Sequence, residues 1–122
     1  MSRDSEWERC KPWLQEALNA AGNEYALADV HAMLDAGQAT FWPGDGSAIV
    51  TRIEDHPGCR DLVFWLAGGD LDELTTKMRP FIEQWGAKLG CNRSLVIGRP
   101  GWERALPDYR PLARIIAKEL AL

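Results

Sequence analysis

The sequence predicts an α/β fold, a small mixed sheet with two N-terminal helices, a β-hairpin and a β-α-β crossover, and three stretches carry that prediction. Residues 38–42 and 48–53 are rich in β-branched and aromatic side chains and flank Pro43-Gly44-Asp45-Gly46, which supplies the turn residues a hairpin needs. Leu62-Val63-Phe64-Trp65-Leu66-Ala67 is a continuous apolar run, the pattern of a mid-sheet strand covered on both faces. After it, Leu71, Leu74, Met78, Phe81, Ile82, Trp85 and Leu89 recur at three- or four-residue steps, and Ser94-Leu95-Val96-Ile97-Gly98 returns as a strand. Strand, amphipathic helix and strand in that order form a right-handed crossover with parallel strands.

The remaining elements follow from local signals. Ser5 and Glu8 make a capping-box pattern ahead of Trp7, Trp13, Leu14, Ala17, Leu18 and Ala21, and this first helix ends near Gly22. Pro12 leaves two readings open: the helix begins there, or a short leading turn is kinked against it. Ala28-Asp29 leads into Val30, Met33 and Leu34, with Gly37 at the left-handed position that closes a short second helix. Residues 54–58 form a turn. Gly68-Gly69-Asp70 opens the main helix with Asp70 and Glu73 as a capping pair; Pro80 bends it, since the missing amide would have bonded to Thr76, and Gly90 ends it. Residues 101–106 form a helical turn before Pro107-Asp108-Tyr109. For residues 112–120, Leu112, Ile115, Ile116 and Leu120 match a helical face after Pro111, whereas Arg114, Ile116 and Lys118 alternate as on an edge strand.

A chain of 122 residues is expected to form a single domain, 1–122. With 46% hydrophobic and 26% charged residues, disorder is excluded. Fourteen Lys and Arg against eighteen Asp and Glu give a net charge of −4, and no basic stripe exists to release counterions from a nucleic acid, so no nucleic-acid partner is expected. The apolar runs fall far short of the roughly 20 residues that cross a bilayer, and Met1-Ser2-Arg3-Asp4-Ser5-Glu6 has neither the basic flank nor the apolar core of a secretory signal. A cytoplasmic protein without a membrane partner is therefore expected, with Cys10, Cys59 and Cys91 as reduced thiols.

No metal site is expected, because His31 and His56 have no ligand-spaced neighbour except Asp35, which makes a surface helix contact with His31. The nucleophile-elbow, phosphate-loop and dinucleotide patterns are absent. Two glycine-containing loops remain. Ala67-Gly68-Gly69 leads into a helix N-terminus, a natural anion site, yet Asp70, Asp72 and Glu73 crowd that turn with negative charge and read as helix capping. Gly98-Arg99-Pro100-Gly101-Trp102-Glu103-Arg104 follows a parallel strand, where open α/β sheets bind ligands; the plainer reading is a clamp with Trp102 in the core and Arg99 or Arg104 paired with Glu103 or an acidic neighbour. Of six tryptophans, Trp65 and Trp85 lie on apolar faces and read as core, while others are candidates for a self-association surface on the hairpin or first helix.

This order of elements resembles the GNAT superfamily of acyl-CoA N-acyltransferases from about Trp7 to Leu120. More closely, Leu66-Ala67-Gly68-Gly69-Asp70-Leu71 and Gly98-Arg99-Pro100-Gly101-Trp102-Glu103-Arg104-Ala105-Leu106-Pro107 resemble segments of small proteins encoded by tailed phages and prophages that share the acyltransferase-like layout. The resemblance implies that Phe64, Trp65 and Leu66 border an acyl arm, that Ala67, Gly68 and Gly69 approach the phosphates of coenzyme A, and that residues 112–120 are the last strand. It also marks Tyr109 as the general acid that protonates the thiolate, with Glu103 or Asp108 assisting deprotonation of an amine through water. The family's Gln/Arg-x-x-Gly-x-Gly/Ala phosphate loop is altered here: no Gln or Arg begins it and the glycines are adjacent. The expectation is a degenerate, noncatalytic GNAT-like protein of phage type, in the host cytoplasm or with the virion, without a cofactor. It would act through contacts with a protein partner, from the phage or a second copy of itself. The alternative is an acetyl-CoA-dependent N-acetyltransferase.

Overall fold

The computed structural model describes residues 3–98 and 101–121. Helix α1 (Arg3–Ala20) turns Trp7, Cys10, Leu14 and Leu18 inward at three- and four-residue steps, so one stripe of it is buried. Of the two readings left open at Pro12, the continuous helix holds. Pro12 and Glu8, whose carbonyl loses its amide partner, are both on the exposed side of the helix, so the lost bond does not leave a polar group in the core. Ser5 consequently lies inside the first turn and not at its cap. Helix α2 (Leu27–Asp35) is capped by the Asp29 carboxylate, which accepts the Ala26 amide at 2.8 Å, and Gly37 beyond it sits at φ +73° as expected.

Strands β1 (Thr40–Pro43), β2 (Ser47–His56), β3 (Cys59–Gly69) and β4 (Arg93–Val96) form one sheet in the order β1-β2-β3-β4. The first two pairings are antiparallel and β3–β4 is parallel, so the sheet is mixed. On one face α1 and α2 cover Ala48, Val50 and Leu66, building a core around Trp7, Leu14, Leu18 and Val30. Each fully buried leucine there contributes about 1.5–3 kcal/mol over an exposed one. The other face carries a π-helical segment (Glu73–Met78) that runs directly into α3 (Arg79–Lys88), packing Leu74 and Ile82 on Ile49, Leu62 and Phe64. A short α4 (Gly101–Ala105) follows β4.

The tryptophans redistribute relative to expectation. Trp7 is the ring buried in the α1 core, packed edge-on against Phe41, while Trp65 and Trp85 are half-buried at the margins. The bend anticipated at Pro80 takes the form of the wide π turn just before it, where the Arg79 amide reaches back to the Leu74 carbonyl. Hydroxyls satisfy carbonyls along this irregular stretch: Thr75 donates to Leu71 at 2.9 Å and Thr76 to Asp72 at 2.6 Å.

Asp61, fully buried, ties β3 to β4. Arg93 grips it with two bonds, Nε at 2.7 Å and Nη2 at 2.9 Å, and His56 Nε2 lies 3.2 Å from the same carboxylate. The Arg93 hydrogen bonds hold the Asp61 pKa below the ordinary carboxylate range. His31 pairs with Asp35 on the surface of α2, and the three cysteines are free.

One expectation fails outright. Residues 112–120 are neither the last strand nor a helix; they have no regular structure and are exposed, Leu112 less than the rest of its large apolar residues. Neither periodic pattern folds without a surface to bury its apolar side, and this segment has none in its own chain.

Candidate functional site

A cleft opens where β3 and β4 part. They pair from Asp61–Arg93 to Phe64–Val96, and the Ile97 amide makes a last bond to the Phe64 carbonyl at 3.4 Å. The local cause is a β-bulge. Val50 pairs with Leu66 and Thr51 with Phe64, so Trp65 is the extra residue and β3 bends there. β3 then continues to Gly69 on β2 alone. The space there is lined by Phe64, Trp65, Ala67, Val96, Ile97 and Trp102, with Arg79 also at its wall, and its cavity is small, about 60 Å³.

Phe64, Trp65 and Ala67 thus line the cleft, whereas Leu66 is buried on the α1 side. Trp102, half-buried, packs over Gly98 and against the second core, which meets one half of the clamp reading; Arg99 and Pro100 of that motif lie outside the described residues.

The glycines that end β3 have packing roles. A Cβ on Gly68 would stand 2.3 Å from the Trp13 carbonyl of α1, and one on Gly69, at φ +107°, would stand 2.4 Å from the Gly46 carbonyl. They let α1 and the β1–β2 hairpin close onto the end of β3. The amides at this corner are also engaged. The Asp70 amide donates to Gly46 at 3.0 Å, and the Asp70 carboxylate accepts from the amides of Asp72 at 3.0 Å and Glu73 at 3.4 Å. Three of the four amides from Asp70 to Glu73 are therefore taken. With these amides engaged, three carboxylates at the turn, and Arg79, the cation that lines the cleft, paired with Glu83 and Asp108, the corner from Asp70 to Glu73 does not fit the diphosphate of coenzyme A.

Glu73 does not return to cap its own helix. Its carboxylate accepts from the amides of Asp45 at 3.0 Å and Gly46 at 2.9 Å and from the Ser47 hydroxyl, and these bonds, Ser47 foremost, hold its pKa below the usual carboxylate value. From the opposite side Arg9 donates to the carbonyls of Gly44 at 2.7 Å and Asp45 at 3.1 Å. The turn is gripped by its amides from one helix and its carbonyls from another. Sequence reading missed this clamp, and the only signal was the turn itself, Pro43-Gly44-Asp45-Gly46.

Tyr109, Glu103 and Asp108 do not converge on the cleft. Tyr109 lies in a separate depression on the outer side of β4, with its hydroxyl 2.5 Å from both Glu83 Oε2 and Ser94 Oγ. Burial, with the Glu83 carboxylate adding to it, raises its pKa above the ordinary phenol range. Glu103 is exposed on α4, and Asp108 meets Arg79 at 3.4 Å. Tyr109 thus moors the chain after α4. Tyr109→Phe is expected to cost about 1–2 kcal/mol in urea unfolding, and the wild-type residue should show no phenolate absorbance below the pH at which the protein unfolds.

Among the described residues no group of three His, Cys, Asp or Glu could hold a metal ion, and no helix is long and apolar enough to cross a membrane. No family model and no curated protein matches the chain. Two solved structures do: crystal structures of TTHA1254 from Thermus thermophilus, as a point mutant at TM-score 0.55 and as wild type at 0.52. Each is 13% identical, with 89% of this chain and 90% of that chain covered. The likeness is one of fold.

Proposed function

We propose that this chain is a noncatalytic domain of GNAT-like layout, of the phage or prophage type that its two motifs resemble, and that it acts through protein contacts. The observation that carries the reading is the closed corner at Asp70, where a carboxylate of the chain itself occupies the amides a nucleotide would need. Three acidic side chains there, Asp70, Asp72 and Glu73, add repulsion toward any incoming phosphate. The displacement of Tyr109 from the cleft supports the same reading, since a general acid must come within hydrogen-bond reach of the group it protonates.

One observation favours a second reading, an acetyl-CoA-dependent N-acetyltransferase. The bulge at Trp65 parts β3 from β4 beside an apolar cleft where an acyl arm would enter, although the cleft is small and the phosphate corner is closed.

Thermal melts with acetyl-CoA separate the two. A ligand at 100 times its Kd adds about 2.7 kcal/mol of stability. The noncatalytic reading expects no change in midpoint beyond an ionic-strength control, and a saturable rise overturns it.

A further inference from the structure

We propose that residues 112–120 dock on a second copy of this chain, adding a strand to the free edge of its β4. This rests on the protein-contact half of the reading above and is independent of whether coenzyme A binds.

The segment is apolar where it should not be. Leu112 is 53% exposed, Ile115 87%, Ile116 88% and Leu120 79%, whereas the large apolar side chains of α1, α2 and β3 are mostly covered. An exposed run of this kind marks an unpartnered interaction element. β4 supplies a matching deficiency. It is the last strand of the sheet, and its outer row of amides and carbonyls has no neighbouring strand among the described residues. An added strand would meet Leu95 and Ile97 on one face and Val96 on the other, so both Ile115 and Ile116 would find apolar partners. Extended, residues 112–120 span roughly 30 Å, ample to cover the length of β4.

Charge favours this chain as the acceptor. From Arg110 onward the segment carries Arg110, Arg114 and Lys118 against Glu119, a net +2, on a chain of net −4, so the part before it carries −6. Glu83 and Asp108 line the depression beside β4 but both pair with Arg79, and Arg93 there is committed to Asp61, so the complementarity is one of net charge between segment and body.

The route of the chain points to a second copy. Tyr109 is moored to Ser94 within β4 and Leu112 still lines the depression beside that strand, whereas residues 113–120 beyond it are exposed, so the chain's own β4 leaves most of the segment uncovered. A second copy presents the same β4 edge with its own Tyr109–Ser94 bond in place, so the docking strand would lie in the open depression beside it, and two copies can exchange segments reciprocally about a two-fold axis.

Light scattering of the full chain at tens of micromolar should give a dimer. A chain shortened to end at Arg110, which gives up no helix or strand of the folded body, should be monomeric with unchanged circular dichroism, and so should the double variant Ile115→Asp with Ile116→Asp. Amide exchange at Ser94 and Val96, which alternate with the Ile97 amide bonded to Phe64 and so face away from β3, should be slow in the full chain and fast in the shortened one. A full chain that is monomeric at these concentrations, or a dimer that survives the shortening, overturns the proposal. Neither result bears on coenzyme A, and a shift in melting with acetyl-CoA would leave this docking untouched.

Discussion

Gly68→Ala is expected to destabilise the protein by about 3 kcal/mol, a severe loss for one methyl group. The added carbon would stand 2.3 Å from the Trp13 carbonyl, and a backbone atom in the middle of α1 cannot rotate aside as a side-chain tip can. Relief requires α1 to lift from the end of β3, and α1 carries Trp7, Leu14 and Leu18 of the larger core. Urea unfolding checks this directly. A Gly68→Ala protein of wild-type stability would return that glycine to the role its resemblance suggested, a smooth approach for a ligand.

Glu73→Ala is expected to cost about 2–3 kcal/mol, because the carboxylate bonds two amides and a hydroxyl of the β1–β2 turn and nothing nearby replaces it. Its effect has a pH signature. The folded pKa is depressed below the ordinary glutamate value of 4.5, so Glu73 contributes its full stabilisation above that value and loses it as pH falls through the lower folded pKa. Asp61, held down by Arg93, acts with the same sign. Wild type should therefore lose stability steeply below about pH 4.5. Glu73→Gln should be less stable at neutral pH and decline less steeply in acid, by at most about 1.4 kcal/mol per pH unit for the one proton removed. Parallel curves for the two proteins would refute the clamp.

The sheet was legible in the sequence because each of its strands carries its own signal, although β2 runs on to His56 through residues whose polarity reads as turn. Pro43-Gly44-Asp45-Gly46 marked the first hairpin, and the unbroken run from Leu62 to Ala67 marked a strand buried on both faces. The bulge at Trp65 was not legible, since bulges arise from pairing and leave no periodicity of their own. Glu73 was assigned to its own helix because three-residue spacing from Asp70 is a local rule; the turn that captured it is a long-range partner. Gly68 and Gly69 looked like ligand-approach residues, and what approaches them is α1 and the hairpin. Residues 112–120 carry the patterns of two secondary structures and adopt neither, because periodicity reports which face should be buried and not whether a surface is present to bury it.

That the corner from Asp70 to Glu73 is filled by the chain's own groups is the claim on which the functional reading depends. Its most direct test is an amide NMR titration with coenzyme A, following the resonances of residues 70–73. The structure predicts that they stay in place up to millimolar ligand. Saturable shifts at the amides of Asp72 and Glu73 would mean that the Asp70 carboxylate yields to a diphosphate, and would contradict the account.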